Sequence, residues 1–352
     1  MDSTYSGAYG RLKASKLDFI SVGFAEQLDQ RDSDEFMKML STTSYRKELD
    51  AFSGLYAVPD VAEVVINAHM MGMIKNATFA VPPLARNFVA AYVSKWDIEN
   101  IKTILSSKVL GYSVENTEVF LTVQRGTPVG IFGSGIGKEE YMKLIEQKDI
   151  EGVCNSLTKY GYGTILLKYV DEVKKTNDIS PMMLALDTYY YARLFEVFKF
   201  YNGDEGPVIQ YVKGLVDVKN IMTVIKCITF GYKNVKDYFI NGGMISESKL
   251  LEMSSKELNA IKPDMPFKVD DAFERYKKDE FLAYFESALK RELNAKYLKI
   301  FDSLPLSLET IVAFVLRSEL ERDELRAIWL SKYYKISKER AQSMRVLKYV
   351  VS

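Results

Sequence analysis

One helical phrase, headed by an acidic residue, recurs along the chain and limits what the chain can fold into. "WDIENIKTIL" runs from Trp96 to Leu105, and "VDVKNIMTVI" runs from Val216 to Ile225. The first carries Asp97, Asn100, Ile101 and Thr103; the second carries Asp217, Asn220, Ile221 and Thr223 in the same relative places. Helical geometry puts Asp97, Asn100, Ile101 and Ile104 on nearly one face, and Asp217, Asn220, Ile221 and Val224 likewise. "ELERDELRAI", Glu319 to Ile328, repeats the spacing with Glu321, Glu324, Leu325 and Ile328. There the acid stays, Glu stands in place of Asn, and the aliphatics stay. A basic residue follows the first aliphatic as Lys102 and Arg326, while Met222 breaks the pattern. Amphipathic helices are broadly alike, so the third phrase alone says little. The polar identities of the first two exceed what amphipathicity requires.

A chain of 352 residues is too long for one simple helical core, so two or three domains are expected. Three related helical units, each about 105 to 120 residues long, account for the length, the loops and the echoes. The boundaries fall in glycine-rich stretches near 115 and 240, giving domains 1–115, 116–240 and 241–352. Three such units can pack side by side about an approximate three-fold axis.

Most segments read as helix, so the fold class is all-α. "YGRLKASKLDFI" predicts a first helix reaching Ile20. Asp32 with Glu35, and Ser44 with Glu48, read as capping boxes. Val61–Ile74 forms a helix, and Pro82 and Pro83 interrupt or open one. Phe88–Leu105 is long, with a break near Trp96. Gly111–Gly137 is a loop with a short extended piece, and Lys138 starts a new helix. Helices follow at Ile150–Leu157, Leu166–Lys175, Pro181–Tyr201, Pro207–Val212 and Asp217–Phe230. After the loop "FINGGMISESKLLEMSS", Val269–Phe301 reads as one long charged helix. Helices at Ser307–Tyr334 and Ser337–Val350 finish the chain.

With these residues in view, the chain resembles the C subunit family of archaeal-type (A/V-type) ATP synthases, which includes the d subunit of eukaryotic vacuolar ATPases. The resemblance covers nearly the whole length. It rests on "YGRLKASKLDFI", with Tyr9 and Arg11, on "VSKWDIENIKTIL" and "VKGLVDVKNIMTVI", and on "LERDELRAIWLSKYYKIS". The family usually keeps Asn where Glu324 stands, and Arg or Lys where Met222 stands. The resemblance implies three similar helical domains arranged as a funnel with pseudo three-fold symmetry. It implies a central-stalk rotor adaptor on the cytoplasmic face of the cell membrane. The adaptor sits on the ring of proteolipid (K/c) subunits, receives the shaft made of the D and F subunits, and transmits torque during proton- or sodium-linked ATP synthesis or hydrolysis. It implies no bond chemistry. The competing reading is a helical-repeat protein-binding scaffold unrelated to ATPases. A third is an enzyme whose acid–base groups lie among ordinary Glu, Asp, Lys and Tyr residues.

The residues themselves offer little chemistry, so no catalytic, cofactor or metal residue is assigned. "GIFGSGIGKEEY" fails as a phosphate loop, because Phe132 stands where glycine is needed and Glu139 where Ser or Thr is needed. His69 is the single histidine and lies in an apolar helix, where a satisfied core or boundary role is expected. Cys154 and Cys227 are too few and too distant for a zinc site. Pairs such as Asp270-Asp271 and Glu139-Glu140 read as solvated faces or caps. "DTYYYARLFEVFKFY" reads as a largely buried helix or, alternatively, an interdomain or partner surface. The C-terminal basic residues Lys332, Lys335, Lys338, Arg340, Arg345 and Lys348 read as a solvated face, with acidic partners or lipid head groups as the alternative. Basic and acidic residues balance at 47 each, so no global charge draws the chain to nucleic acid. Neither nucleic acid nor a small-molecule substrate is expected. No stretch suits a signal peptide or a spanning helix.

Overall fold

A computed structural model describes residues 5–15, 18–56, 58–79, 81–111, 122–124, 127–129, 131, 135–200, 206–232, 234–337, 340–342 and 345. Among the described residues the fold is helical apart from one antiparallel hairpin, β1 (Thr122–Gln124) and β2 (Thr127–Val129), in register Thr122 with Val129. The chain divides into two compact units. One comprises Met1–Lys16, Ile20–Gln30 and Phe200–Ser352; the other comprises Leu17–Phe19 and Arg31–Lys199.

The second of these units contains α3 (Ser33–Leu40), α4 (Arg46–Phe52), α5 (Asp60–Phe79), α6 (Pro83–Val93) and α7 (Lys95–Val109). After the hairpin come α8 (Lys138–Glu146), α9 (Ile150–Ser156), α10 (Gly163–Leu166), α11 (Val170–Thr176) and α12 (Ser180–Phe198). Asp32 caps α3 by accepting from the Glu35 amide at 2.8 Å. The expected Ser44 cap does not form: Tyr45 occupies the N-cap of α4, and the Ser44 hydroxyl is engaged elsewhere. The long helix breaks at Ser94, two residues before the expected place, and the Ser94 hydroxyl donates to the Ala91 carbonyl. Leu166–Lys175 is no single helix. A 3-10 turn at Leu167–Tyr169 separates α10 from α11. On α12, Tyr190 and Tyr191 are buried, and the Tyr190 hydroxyl donates to the Tyr92 carbonyl of α6. Within 187–200 the buried residues are Tyr190, Tyr191, Leu194 and Phe198 while Phe200 is exposed, so the helix buries one face and not most of its surface as expected; Tyr201 lies outside the described residues.

The other unit holds α1 (Ser6–Ser15), α2 (Val22–Gln30), α13 (Gly206–Phe230), α14 (Glu247–Ser254), α15 (Asp270–Asp279), α16 (Ala283–Asp302) and α17 (Leu308–Tyr333). Its core is the packing of α13 on α16, with α17 alongside. Gly214 permits the closest approach, since a side chain there would collide with Leu293. Tyr211 packs against Tyr297 and Phe301 at 5.6 and 5.8 Å, and its hydroxyl donates to Asn294. Three expectations fail. The first helix ends at Ser15 instead of Ile20. Pro207–Val212 and Asp217–Phe230 are one helix of 25 residues, Gly214 between them being held inside the helix by its close packing on Leu293. Val269–Phe301 is two helices, because Glu280 adopts a left-handed conformation at φ 54 and closes α15. Most of Ser337–Val350 lies outside the described residues.

Among the described residues, no helix is long and apolar enough to cross a membrane.

Candidate functional site

The acid-headed helices α7, α13 and α17 position all twelve residues singled out by the sequence. Asp97, Asn100, Ile101, Ile104, Asp217, Asn220, Ile221, Val224, Glu321, Glu324, Leu325 and Ile328 are all buried. Each buried aliphatic contributes about 1.5–3 kcal/mol of packing. A buried acid or amide is tolerated only when its hydrogen bonds are made, so the partners of these residues define what they do.

On α7, Asp97 accepts from the Gly135 amide at 2.9 Å and from the Tyr141 hydroxyl at 2.6 Å. Asn100 donates to the Ile131 carbonyl at 3.0 Å. The helix thus grips the chain leading into α8. A Cβ on Gly135 would stand 3.1 Å from the Asp97 carboxylate, so the loop needs a small residue there. Burial, reinforced by the Asp97 charge, pushes the Tyr141 hydroxyl far above the usual phenol range. The Gly135 amide is thereby committed to a carboxylate, which would repel a phosphate brought to this glycine-rich stretch.

On α13 the pattern recurs. Asp217 accepts from the Met244 and Ile245 amides at 3.1 and 3.0 Å. Asn220 donates to the Ile240 carbonyl at 2.9 Å and accepts from its amide at 2.8 Å. These bonds fix the entry of α14. A Cβ on Gly243 would overlap the Asp217 carboxylate. Burial raises the Asp217 carboxyl above the ordinary range, and the two backbone amides oppose that rise.

On α17 the grip reaches the other end of the sequence. Glu321 accepts from the Ile20 amide at 2.5 Å, holding the entry of α2. Glu324, in the place of Asn, accepts from Arg345 at 2.5 Å, and Arg345 also donates to Asp29 of α2 at 2.9 Å. Lys332 donates to the Asp29 carbonyl at 2.6 Å. The solvated reading of the basic C-terminal residues therefore fails for Lys332 and Arg345, which turn inward because buried acceptors await them. Arg340 lies over the Phe281 ring at 4.1 Å, whereas Lys338 and Lys348 lie outside the described residues.

Sequence reasoning missed Gly135, Tyr141, Gly243, Ile20, Asp29 and Arg345. A signal was present. Ile20-Ser21, Ile136-Gly137 and Ile245-Ser246 each stand immediately before a short gripped helix. In those helices the buried pairs Ala25/Leu28, Tyr141/Leu144 and Leu250/Met253 fall at matching positions.

His69 forms a second polar cluster. Its Nδ1 lies 3.2 Å from Glu48, its Nε2 lies 3.3 Å from the Ser44 hydroxyl, and the Tyr45 ring packs at 3.8 Å. The order of groups is that of a hydrolytic triad. Yet His69 is only 6% exposed, and the Ser44 hydroxyl donates to the Asp18 carbonyl at 2.9 Å. A half-buried serine already donating to the Asp18 carbonyl, beside a buried histidine, is a clamp, in keeping with the core or boundary role expected of this histidine. Burial lowers the His69 pKa, opposed by the Glu48 charge and hydrogen bond. Cys154 and Cys227 are free and buried, and burial pushes the Cys154 thiol up to about 12. Among the described residues no group of three or more His, Cys, Asp or Glu side chains is placed to hold a metal.

Comparison with known proteins adds an independent line. Residues 8–344 match the family model described as ATP synthase (C/AC39) subunit. The C subunit of the A-type ATP synthase from Thermoplasma volcanium is 39% identical over 351 residues, spanning 96% of this chain and 97% of that protein. Its counterpart in Thermoplasma acidophilum is 37% identical over 98% of this chain and 99% of that protein. The C subunit from Methanocaldococcus jannaschii is 24% identical over 97% of this chain and 86% of that protein.

Proposed function

The chain belongs to the ATP synthase (C/AC39) subunit family, and from that premise we propose how its helices serve the machine. It is a non-catalytic central-stalk component of an A-type ATP synthase, coupling the shaft to the membrane ring. The observation that carries this is the match along nearly the full length, at 39% identity to the C subunit of an A-type ATP synthase. A scaffold unrelated to ATPases is thereby displaced. The absence of a spanning helix among the described residues suits a peripheral role.

The finer reading concerns geometry and contacts. The proteolipid ring lies at one mating surface, and the shaft of the D and F subunits enters the other. The acid-headed helix is one building block used three times, with domains 1–115, 116–240 and 241–352 forming a funnel about a pseudo three-fold axis. Torque transmission asks for stiffness. A buried acid that pins the entry of the following helix supplies it, because each pinned amide is costly to release in a buried setting. The shared hydrogen-bond pattern of Asp97 with Asn100 and of Asp217 with Asn220 supports this reading.

The test is a pull-down from native membranes with mass analysis. Proteolipid, D and F subunits should accompany the tagged chain, and co-expression with D and F should give one complex on size exclusion. A soluble chain that captures none of them ends the coupling role.

A further inference from the structure

We propose that the exposed apolar residue ending each acid-headed helix is a docking point for the proteolipid ring. The inference rests on the coupling role above and names the residues that would carry the contact. Leu110, Phe230 and Tyr334 each stand 13 residues after the acid of their helix, which is Asp97, Asp217 or Glu321. They close α7, α13 and α17 and are 58%, 58% and 63% exposed. The next residue is left-handed in all three, with φ 68 at Gly111, 68 at Gly231 and 52 at Lys335. The third helix keeps this ending even though a lysine must take a conformation that favours glycine.

Stopping a helix accounts for the left-handed residue. It does not account for the large apolar side chain before it, because a polar residue would end the helix as well and sit better in water. The same choice in three helices marks surface that a partner covers. In the unit holding α13 and α17, two of these endings lie at one end of the bundle. Ala283, the first residue of α16, lines a groove with Tyr334, and Glu286 one turn on feels the charge of Lys226 of α13. Tyr232 and Tyr333 are exposed there too, their rings 5.8 Å from Phe230 and 5.1 Å from Tyr334. Lys226 and Lys335 are exposed beside them. Leu110 gives the other unit the same ending, with an aliphatic side chain for an aromatic one. Two features favour the ring over the shaft. Tyrosine, phenylalanine and lysine together suit the boundary between water and bilayer, where the loops of a membrane ring stand. A feature repeated within one chain also suits a partner that repeats one surface, as a ring of like subunits does and a shaft of two different subunits does not.

Binding of the full chain to the purified ring in detergent tests this, set against its binding to co-expressed D and F subunits. The triple variant Leu110→Ser, Phe230→Ser, Tyr334→Ser should keep the helical circular dichroism of the parent and keep its hold on D and F. It should bind the ring at least about tenfold more weakly. Phe200→Ser removes an exposed ring that precedes the other end of α13, and should bind the ring like the parent. If the triple variant fails to fold, the three single variants decide, each weakening ring binding about two- to fivefold. The proposal is overturned if the variants bind the ring like the parent, if they lose D and F instead, or if Phe200→Ser weakens the ring contact as much. It is overturned in favour of a lipid surface if the parent binds protein-free vesicles of the same membrane lipid as tightly as the ring and the variants lose both. A parent that binds no ring at all sinks the coupling role and this inference with it, whereas variants that match a ring-binding parent sink the inference alone.

Discussion

Asp217 and Glu321 each hold the entry of a short helix, yet one works over 27 and 28 residues and the other over 301. Closing the longer stretch costs about 2 kcal/mol more in chain entropy, since each doubling of length adds about 0.6 kcal/mol. The local grip is made of neutral backbone amides and Asn220, supported by a glycine that lets the loop lie against the acid. The distant grip replaces the amide with Glu324 and adds Arg345 and Lys332. A charge-assisted hydrogen bond contributes about 1.5–3 kcal/mol, enough to offset the entropy. The comparison teaches that the Asn-to-Glu change in the third phrase is tied to distance. Where the chain cannot supply a nearby loop, ions do the fastening.

The comparison can be broken at several points. The largest effect is expected for Asp217→Ala, which strands two amides; unfolding should lose about 3 kcal/mol in urea titration. If the loss stays under about 1 kcal/mol, the local grip is not what orders the entry of α14. Gly243→Ala comes next, at about 2 kcal/mol, because its methyl meets the Asp217 carboxylate. Calorimetry would show this as a drop of several degrees in melting temperature. Asp29→Ala should cost about 1 kcal/mol at low salt and less at high salt, whereas the salt dependence of Asp217→Ala should match that of the parent.

A smaller effect is expected from pH. The Ser44 hydroxyl holds the Asp18 carbonyl a few residues before α2 begins, and His69 lies behind it. Burial lowers the folded His69 pKa below its ordinary value. The unfolded chain then binds the proton more readily, so stability rises with pH from the lowered folded value up to about 6.5 and is flat above. His69→Gln should remove that slope in denaturation midpoints measured between pH 5 and 8; an unchanged slope would assign it to other groups. The smallest change concerns α1, which packs against α17. Gly10 has open space around its Cβ position, so Gly10→Ala should gain about 0.5–1 kcal/mol.

Much of this was legible in the residues. The faces of α7, α13 and α17 followed from spacing alone, because apolar period and polar identity agree there. The partners of those faces did not. They are mostly backbone amides and carbonyls, marked in the sequence only by the glycines beside them and by the Ile-Ser and Ile-Gly pairs before each gripped helix. The α15–α16 break was hidden because Glu280 adopts a left-handed conformation that composition would assign to glycine or asparagine. The inward turn of Lys332 and Arg345 was hidden for another reason. Both donate to Asp29, and nothing local in the sequence announces a meeting across the whole chain.

That meeting has a bearing on biosynthesis. A ribosome adding about 5–20 residues per second needs roughly 15–60 s to travel from Ile20 to Glu321, positions 301 apart. Through that interval α1 and α2 have emerged without α17, the helix against which they pack. The nascent chain must be sheltered until its last long helix leaves the exit tunnel, which makes the earliest-made residues among the last to find their place.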